Sequence, residues 1–303
     1  MKTYDYHIPV LREQCIDGLD IKADGVYVDA TFGGGGHSKA ILNALGKNGK
    51  LIAFDQDKDA LENNIDDKRF LLINQNFRYL KQFLKFHGFI KVDGVLADFG
   101  VSSHQFNEPE RGFSIRFDAE LDMRMDQNQT LNAKQIVNEY PEEKIKNLIK
   151  QYAELKMAPK LASAIVSARA NQEIKTTFQL NKLLEPFLPK TKSNKFLAQI
   201  YQALRIEVNQ ELEALKDFLS QSSEVLIPGG RLCLMSYHSL EDRLVKHFIR
   251  SGNFEDDIKK DFYGNIQKPF KNIGKLIVPS EEEISKNSRA RSAKLRIAEK
   301  LTS

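Results

Sequence analysis

The sequence predicts an α/β fold, a doubly wound sheet of about seven strands split by a helical inset. Three observations predict it. Short β-like runs alternate with helical runs through the first third of the chain. A helical stretch without convincing strands then runs from about Glu110 to Leu204, after which the alternation resumes. Four consecutive glycines, Gly33 to Gly36, sit where the first strand should hand over to the first helix. Glycine is costly to order and is favoured where backbone turns sharply or a ligand comes close.

The strands come in order as VYVDA (26–30), KLIAFD (50–55), FLLIN (70–74) and VDGVLAD (92–98). Between the first two, SKAILNALG carries Ile41, Leu42 and Leu45 at helical spacing and is expected to stop at Gly46. DKDALENNI reads as a second helix. In the inset, PEEKIKNLIKQY sets Ile145, Leu148, Ile149 and Tyr152 on one face after Pro141, and PKLASAIVSAR and TFQLNKLLEPFL are similar. A long amphipathic helix follows, with apolar residues from Leu197 through Leu204, Val208 and Leu212 to Leu219 at steps of three or four. IPGGRLCLMSYH then gives a turn and a buried strand, and LEDRLVKHFIR a helix. GKLIVP and SAKLRIAEK read as two last strands around a short helix whose start, Ser280 to Glu283, matches a capping box. The expected domains are 1–109 with 205–303, and an insertion at 110–204.

Hydrophobic residues at 41% and charged residues at 28% suit a globular enzyme and exclude a disordered or fibrous chain. No apolar run approaches the ~18 residues needed to span a bilayer, and MKTYDYHIPV has no apolar signal core. Cys15 and Cys233 form neither a disulfide framework nor a metal spacing. A cytoplasmic location and no membrane partner are therefore expected. Net charge is +4, but six basic residues against one acid lie between Lys286 and Lys300, a segment able to track phosphates.

In open α/β sheets ligands sit at the carboxyl ends of the strands. Asp55 ends strand two about twenty residues beyond the glycines, where an acid can accept both ribose hydroxyls of an adenosine. A Walker-type phosphate loop is excluded, because the glycines run into His37-Ser38-Lys39 rather than Gly-Lys-Ser/Thr. A dinucleotide loop would prefer a third glycine where Ser38 stands. S-adenosylmethionine asks only for a glycine turn at its amino-acid end and an acid for its ribose. It is favoured over NAD, and Asp29 is placed to order the turn or meet the donor's ammonium.

Strand four supplies Asp98 at its carboxyl end. Methyl transfer to an exocyclic amine needs the nucleophile aligned and its N–H bonds accepted. Asp98 is placed to do this, or to bind the donor instead.

The ordered motifs HIPVL (7–11), DATFGGGGHS (29–38), DFGVSS (98–103), ERGFS (110–114), LDMRMD (121–126), QALRIEVNQEL (202–212), PGGRL (228–232), SYHSLEDR (236–243) and ARSAKLRIAE (290–299) resemble the ribosomal RNA small subunit methyltransferase H family. The resemblance runs from about His7 to Glu299. It implies a class I, Rossmann-like methyltransferase domain interrupted by a helical insertion for RNA recognition. It implies S-adenosylmethionine-dependent N4-methylation of a cytidine in the decoding centre of bacterial 16S rRNA, with no DNA partner. It carries donor binding onto Gly35, Gly36, His37, Asp55, Phe77, Asp98 and Gln105. The chain departs from the family at Gly34 for Arg or Lys, Phe99 for Leu, Ala119-Glu120 for Gly-Pro and Asn287-Ser288 for Asn-Pro. It departs most in YAELKMAPKLASAI.

SYHSLEDR should place Tyr237 and His238 on the same rim as Asp98, Tyr237 to stack on the cytosine and His238 to bond it or take the released proton. The competing reading is that Ser239 caps the following helix. Arg111, Arg116 and Arg124, interleaved with Phe113 and Phe117, suit single-stranded RNA or a splayed-out base, and suit a packed loop with solvated arginines equally well. His7, His87, His104 and His247 have no metal-ligand spacing, so no catalytic metal is expected. Competing functions are another nucleic-acid amino-methyltransferase, a NAD-dependent oxidoreductase, or a non-catalytic ribosome assembly factor that retains a donor pocket.

Overall fold

The structure, a computed structural model, describes residues 9–258, 260, 262–264 and 267–302; His7 and Ile8 of the HIPVL motif lie outside them. The chain divides into two compact units, Met1–Gly100 with Leu212–Ser303, and Val101–Glu211.

The first unit opens with α1 (Arg12–Leu19), β1 (Val26–Asp29), α2 (Gly36–Ala44), β2 (Lys50–Phe54), β3 (Phe70–Ile73), α3 (Leu80–Phe86) and β4 (Val92–Asp98). The second holds α4 (Ser103–Asn107), α5 (Ala133–Glu139), α6 (Glu142–Tyr152), α7 (Ala158–Arg169), α8 (Thr177–Leu184) and α9 (Ser193–Asn209). The first resumes with α10 (Glu211–Val225), β5 (Leu226–Ser236), α11 (Ser239–Ser251), β6 (Phe270–Ile277), α12 (Glu281–Lys286) and β7 (Lys294–Lys300).

The strands form one seven-stranded sheet in the order β3-β2-β1-β4-β5-β7-β6. The strands β1 to β5 pair in parallel, while β7 runs antiparallel to both β5 and β6. Both faces are covered, which is why the central strands are apolar throughout rather than alternating. Val28, Ile52, Val95 and Leu234 face α3, α10 and α11. Their neighbours Tyr27, Leu51, Leu96 and Cys233 point the other way, onto α1 and α2. Pro228-Gly229-Gly230 sits inside β5 as an irregularity: the register jumps from Val92↔Leu226 to Gly94↔Arg231.

The second unit packs Ile145, Leu148, Leu161, Ile165, Leu180, Ile200 and Leu204 into its own core, so the helical periods read from the sequence are its inward faces.

Four expectations need correction. The segment after β2 forms a 3-10 helix, Lys58–Asn63, capped by the Asp57 carboxylate, rather than an α-helix. Gly46 does not cap α2 in a left-handed conformation; Leu45 ends the helix extended, and Gly46 N–H bonds Ala23 O at 2.7 Å. Half of the capping box at Ser280 forms: Ser280 Oγ accepts the Glu283 N–H, but the Glu283 carboxylate turns to the backbone of Leu11 at 2.7 Å. The long amphipathic helix is two helices, broken at Gln210 with φ 50°.

Asn209 explains the break. Its amide donates to Arg205 O at 2.9 Å and Met123 O at 2.8 Å, and its carbonyl accepts the Met125 N–H at 2.7 Å. Those partners fix a loop in which Met123, fully buried, takes a left-handed φ of 62°. Met123 O and Met125 N–H would lose this partner in Asn209→Ala, each costing ~1–3 kcal/mol when buried and unsatisfied, whereas Arg205 O keeps its helical N–H. Asn209→Ala is therefore expected to lower unfolding free energy by about 3 kcal/mol or more in urea titrations. A loss under about 1 kcal/mol would contradict this reading.

Candidate active site

The carboxyl ends of β1, β2, β4 and β5 converge, and backbone and side-chain bonds cross between them. Ala30 N–H bonds Leu96 O at 2.8 Å and Phe32 N–H bonds Phe54 O at 2.9 Å. The Asp98 N–H donates to Thr31 Oγ1 at 2.7 Å. Asp29, 1% exposed, accepts from Thr31 N–H and from Ser38 Oγ at 2.7 Å. Ser38, the residue standing where a dinucleotide loop prefers glycine, thus fastens α2 to β1. Burial pushes the Asp29 carboxyl up, and nearby His37 and these hydrogen bonds oppose the rise.

The four glycines have different jobs. Gly33 and Gly35 take positive φ, 50° and 74°, where a side chain is strained. Gly35 is the N-cap of α2, and a Cβ there would press within 2.9 Å of the Phe32 ring. Gly36 faces Pro9, whose ring would lie 2.3 Å from an added Cβ. Gly34 meets nothing within 4 Å and has no left-handed requirement, so a longer side chain there would meet no obstacle. Gly33 and Gly34 therefore leave an open face above the turn.

Asp55 pins that face. Its Oδ2 accepts the Gly33 N–H at 2.8 Å and its Oδ1 the Asp57 N–H at 2.9 Å, leaving lone pairs for further donors. Burial pushes its carboxyl up to about 6. Asn63 adds a bond to Gly33 O at 3.1 Å. Asn74 and Asn76, after β3, reach back to Asp55 O and to Gln56 at 2.9 and 2.7 Å. Phe77 follows, partly buried against Phe99 and Phe218 with ring centroids 5.9 and 5.3 Å away. Phe99 thus supplies an aromatic neighbour for Phe77.

His37, in the first turn of α2, is 6% exposed, and neither ring nitrogen has a hydrogen-bond partner among the described residues. Its Nε2 lies 3.7 Å from Asp98 Oδ2, and Asp98 Oδ1 is likewise buried without a partner. The Tyr237 ring lies against Gly100, and its hydroxyl faces Asp98. Burial first, and the Asp98 carboxylate second, push the Tyr237 hydroxyl well above its ordinary range. His238, not Ser239, is the N-cap of α11: its Nδ1 accepts the Glu241 N–H at 3.4 Å. Its Nε2 lies 3.1 Å from Glu241 Oε1 but off the line of a hydrogen bond. Glu241, 2% exposed, also accepts the Tyr237 N–H at 2.9 Å.

Gln105 belongs to the second unit, on α4, where its amide oxygen and N–H close a capping box with Ser102. Two of the three loop arginines are occupied structurally. Arg111 donates to Arg124 O and Met125 O, and Arg124 clasps Asp122 through two bonds at 2.7 Å. Loop carbonyls far from any strand need such donors. Phe113 is buried; Arg116 and Phe117 are exposed.

Asn63, Thr31 and Glu241 were not singled out from the sequence. For Glu241 a signal existed, a carboxylate three residues after the cap position.

An adenosine-bearing donor fits these residues. An open glycine face, a carboxylate with spare acceptor capacity and unpartnered buried atoms on His37 and Asp98 line one sheet edge. Sheet order and strand-end residues give a doubly wound α/β frame with a ligand site at its carboxyl ends, and the family it matches makes it an S-adenosylmethionine-dependent methyltransferase. The chain belongs to the MraW methylase family, whose model matches residues 5–301. It is 67% identical over 301 residues to a ribosomal RNA small subunit methyltransferase H of Christiangramia forsetii, covering 99% of this chain and 100% of that one. It is 64% identical to the Flavobacterium johnsoniae protein of the same name, covering 99% of each, and 53% identical to that of Bacteroides thetaiotaomicron, covering 97% of each.

The glycine geometry makes a direct prediction. Gly35→Ala is expected to lose about 1–3 kcal/mol of folding free energy through left-handed strain and the Phe32 contact. Gly34→Ala should stay within about 0.5 kcal/mol of wild type. Equal losses in urea unfolding would contradict the assignment.

Proposed function

We propose that the protein transfers a methyl group from S-adenosylmethionine to the N4 amine of a cytidine in the small-subunit, 16S ribosomal RNA, in its decoding centre. The observation that carries this reading is Asp98 beside the glycine turn, with a buried carboxylate oxygen awaiting a donor. Similarity over nearly the full length, at 67% and 64% identity, to proteins named small-subunit ribosomal RNA methyltransferases supports the substrate. Among the described residues no helix is long and apolar enough to cross a membrane, and a cytoplasmic site of action goes with a ribosomal substrate.

S-adenosylmethionine supplies an electrophilic methyl on a sulfonium. Gly35, Gly36 and His37 line its amino-acid end, Asp55 accepts its ribose hydroxyls, and Phe77 walls the adenine. Gln105 completes the donor set carried over from the family.

A cytosine amine is a weak nucleophile because its lone pair is delocalised into the ring. Asp98 Oδ1 accepts an N4–H bond, drawing electron density onto the nitrogen as the new bond forms. As the N–CH3 bond forms and the S–CH3 bond breaks, the N4 proton leaves to that oxygen. Tyr237, fixed by Glu241 through its backbone, holds the carboxylate with its hydroxyl and offers its ring to the base. His238 has Nδ1 committed as the helix cap. With Nδ1 accepting, the N–H of the ring lies at Nε2, the atom placed to donate to the pyrimidine. The base must leave any stack to reach Asp98, and the helical insertion (110–204) grips the surrounding RNA.

Small subunits from cells lacking the enzyme, incubated with labelled donor, should acquire one N4-methylcytidine located by mass mapping. Label on a different base, or none, would overturn the reading. Asp98→Asn is expected to lower kcat about 10²-fold or more; near-wild-type turnover would remove Asp98 from the chemistry.

A pH prediction follows from Asp55. Its carboxyl ordinarily titrates near 3.8 and is pushed up to about 6 by burial. Below about 6 it is protonated and loses acceptor capacity, so donor affinity should fall as pH drops through that value. Fold stability follows the opposite sign: the raised value favours the folded state below 3.8, and that gain is lost as pH rises through about 6. Calorimetry with S-adenosylhomocysteine between pH 5 and 8, roughly spanning this titration, should show the fall in wild type and not in Asp55→Asn. A pH-independent wild-type affinity would contradict the role.

A further inference from the structure

Three consecutive glutamates open α12, and the structure treats them differently. Glu281 and Glu282 are exposed, and Glu282 pairs with Lys286 at 2.6 Å. Glu283 is half-buried, and its Oε1 accepts the Leu11 N–H at 2.7 Å across 272 residues of sequence. Its own backbone is tied on both sides. The Glu283 N–H donates to Ser280 Oγ at 3.2 Å, and its carbonyl accepts the Asn287 N–H at 2.8 Å. The carboxylate therefore sits on a fixed base and holds its partner in one place.

Leu11 needs that partner. It is the N-cap residue of α1, with φ 49° and ψ 36°, and its side chain caps nothing. A left-handed leucine is strained, and a helix-start N–H without an acceptor is costly away from water. The side chains of Val10 and Leu11 are buried in one core cluster with Ala290 and Ala293, just beyond α12. With those side chains anchored, the bond to Glu283 decides the backbone conformation at Leu11. That conformation sets the direction of the residues before it, and it brings the Pro9 ring onto Gly36. A Cβ added at Gly36 would lie 2.3 Å from Pro9 Cγ.

Gly36 is the first residue of α2. The N–H groups of a helix's first turn have no carbonyl partner within the helix and attract anions. Pro9 brings no N–H of its own and covers one side of that turn with carbon. The turn is thereby fixed from the side while its amides keep their capacity for a carboxylate.

We propose that Glu283 is a positioning residue for the donor site: through Leu11 it sets Pro9 against Gly36, and so shapes the end of the pocket that takes the amino-acid part of S-adenosylmethionine. The proposal rests on the donor placement given above, with Gly35, Gly36 and His37 at that end. Coupling of this kind is reciprocal. Whatever the seated segment adds to donor affinity, a bound donor returns as tighter seating of the segment.

Two experiments test it. The first uses wild type alone, following hydrogen exchange of residues 10–15 and 33–38 with and without S-adenosylhomocysteine. Both stretches should exchange more slowly with ligand bound, by about fivefold or more at the Leu11 amide. The second compares Glu283→Ala, Glu283→Gln and Glu282→Ala by calorimetry with S-adenosylhomocysteine and by methylation of small subunits. Glu283→Ala should weaken binding about tenfold at unchanged stoichiometry, in line with one hydrogen bond to a charged group. Its KM for the donor should rise alike, with kcat within about twofold of wild type. Glu283→Gln keeps a side-chain carbonyl for the Leu11 N–H and should stay within about threefold of wild type. Glu282→Ala should match wild type.

Protection of 33–38 without protection of 10–15, or wild-type affinity in Glu283→Ala, would overturn the role of Glu283 and leave the donor placement standing. Ligand that protects neither stretch would overturn both. A fall in stoichiometry at unchanged affinity would make Glu283 a folding residue only, and an equal loss in Glu283→Gln or Glu282→Ala would assign the effect to charge; each result overturns the proposal. Should wild type methylate no RNA, the functional reading fails, and exchange and calorimetry still decide the role of Glu283.

Discussion

One hydrogen bond organises the donor end of the sheet: Gly33 N–H to Asp55 Oδ2, at 2.8 Å. It joins the turn after β1 to the end of β2 and holds the backbone in a left-handed bend that only glycine adopts without strain. The bend keeps a bare backbone face above Gly33 and Gly34. It also delivers His37 into the first turn of α2, with Nε2 3.7 Å from Asp98. A carboxylate committed to that bond still has acceptor capacity left, so the group that shapes the turn keeps lone pairs for a further donor.

The second constraint is the crossing of chain segments distant in sequence. Asn63 and Asn74 brace the Gly33–Asp55 pair, and Thr31 holds the amide of Asp98. Pro9 lies against Gly36, and Leu11, in a left-handed conformation at φ 49°, gives its N–H to Glu283. The stretch from Pro9 to Leu11 is thereby seated on the glycine turn by a residue from α12, near the other end of the chain. Polar groups held by fixed partners do not reorganise when charge moves, and such preorganisation lowers barriers.

Much of the fold was legible because parallel strands buried on both faces must be apolar throughout. Tyr27-Val28, Leu51 to Phe54 and Val95 to Ala97 announce themselves. The inset was legible from its helical periods. The break at Gln210 was not: no glycine or proline marks it, and Asn209 ends the helix by binding a loop more than eighty residues away, with |i−j| of 86 to Met123. The 3-10 helix at Lys58–Asn63 was misread because its residues suit either helix, and Asp57 closes a tight turn there. In the site, strand-end positions such as Asp55 and Asp98 could be read from pattern alone. The bracing by Asn63, Glu241 and Glu283 could not, since each depends on a contact that no local spacing encodes. The loop arginines stayed ambiguous for the same reason: whether Arg111 and Arg124 are solvated or held shows only once the carbonyls and carboxylate they bind are in view.

The most direct measurement is a crystal structure of the protein with S-adenosylhomocysteine. The account predicts both ribose hydroxyls within hydrogen-bond distance of the Asp55 carboxylate, and the homocysteine end lying against Gly35, Gly36 and His37. Nucleoside density elsewhere, with the Asp55–Gly33 bond facing only solvent, would contradict it.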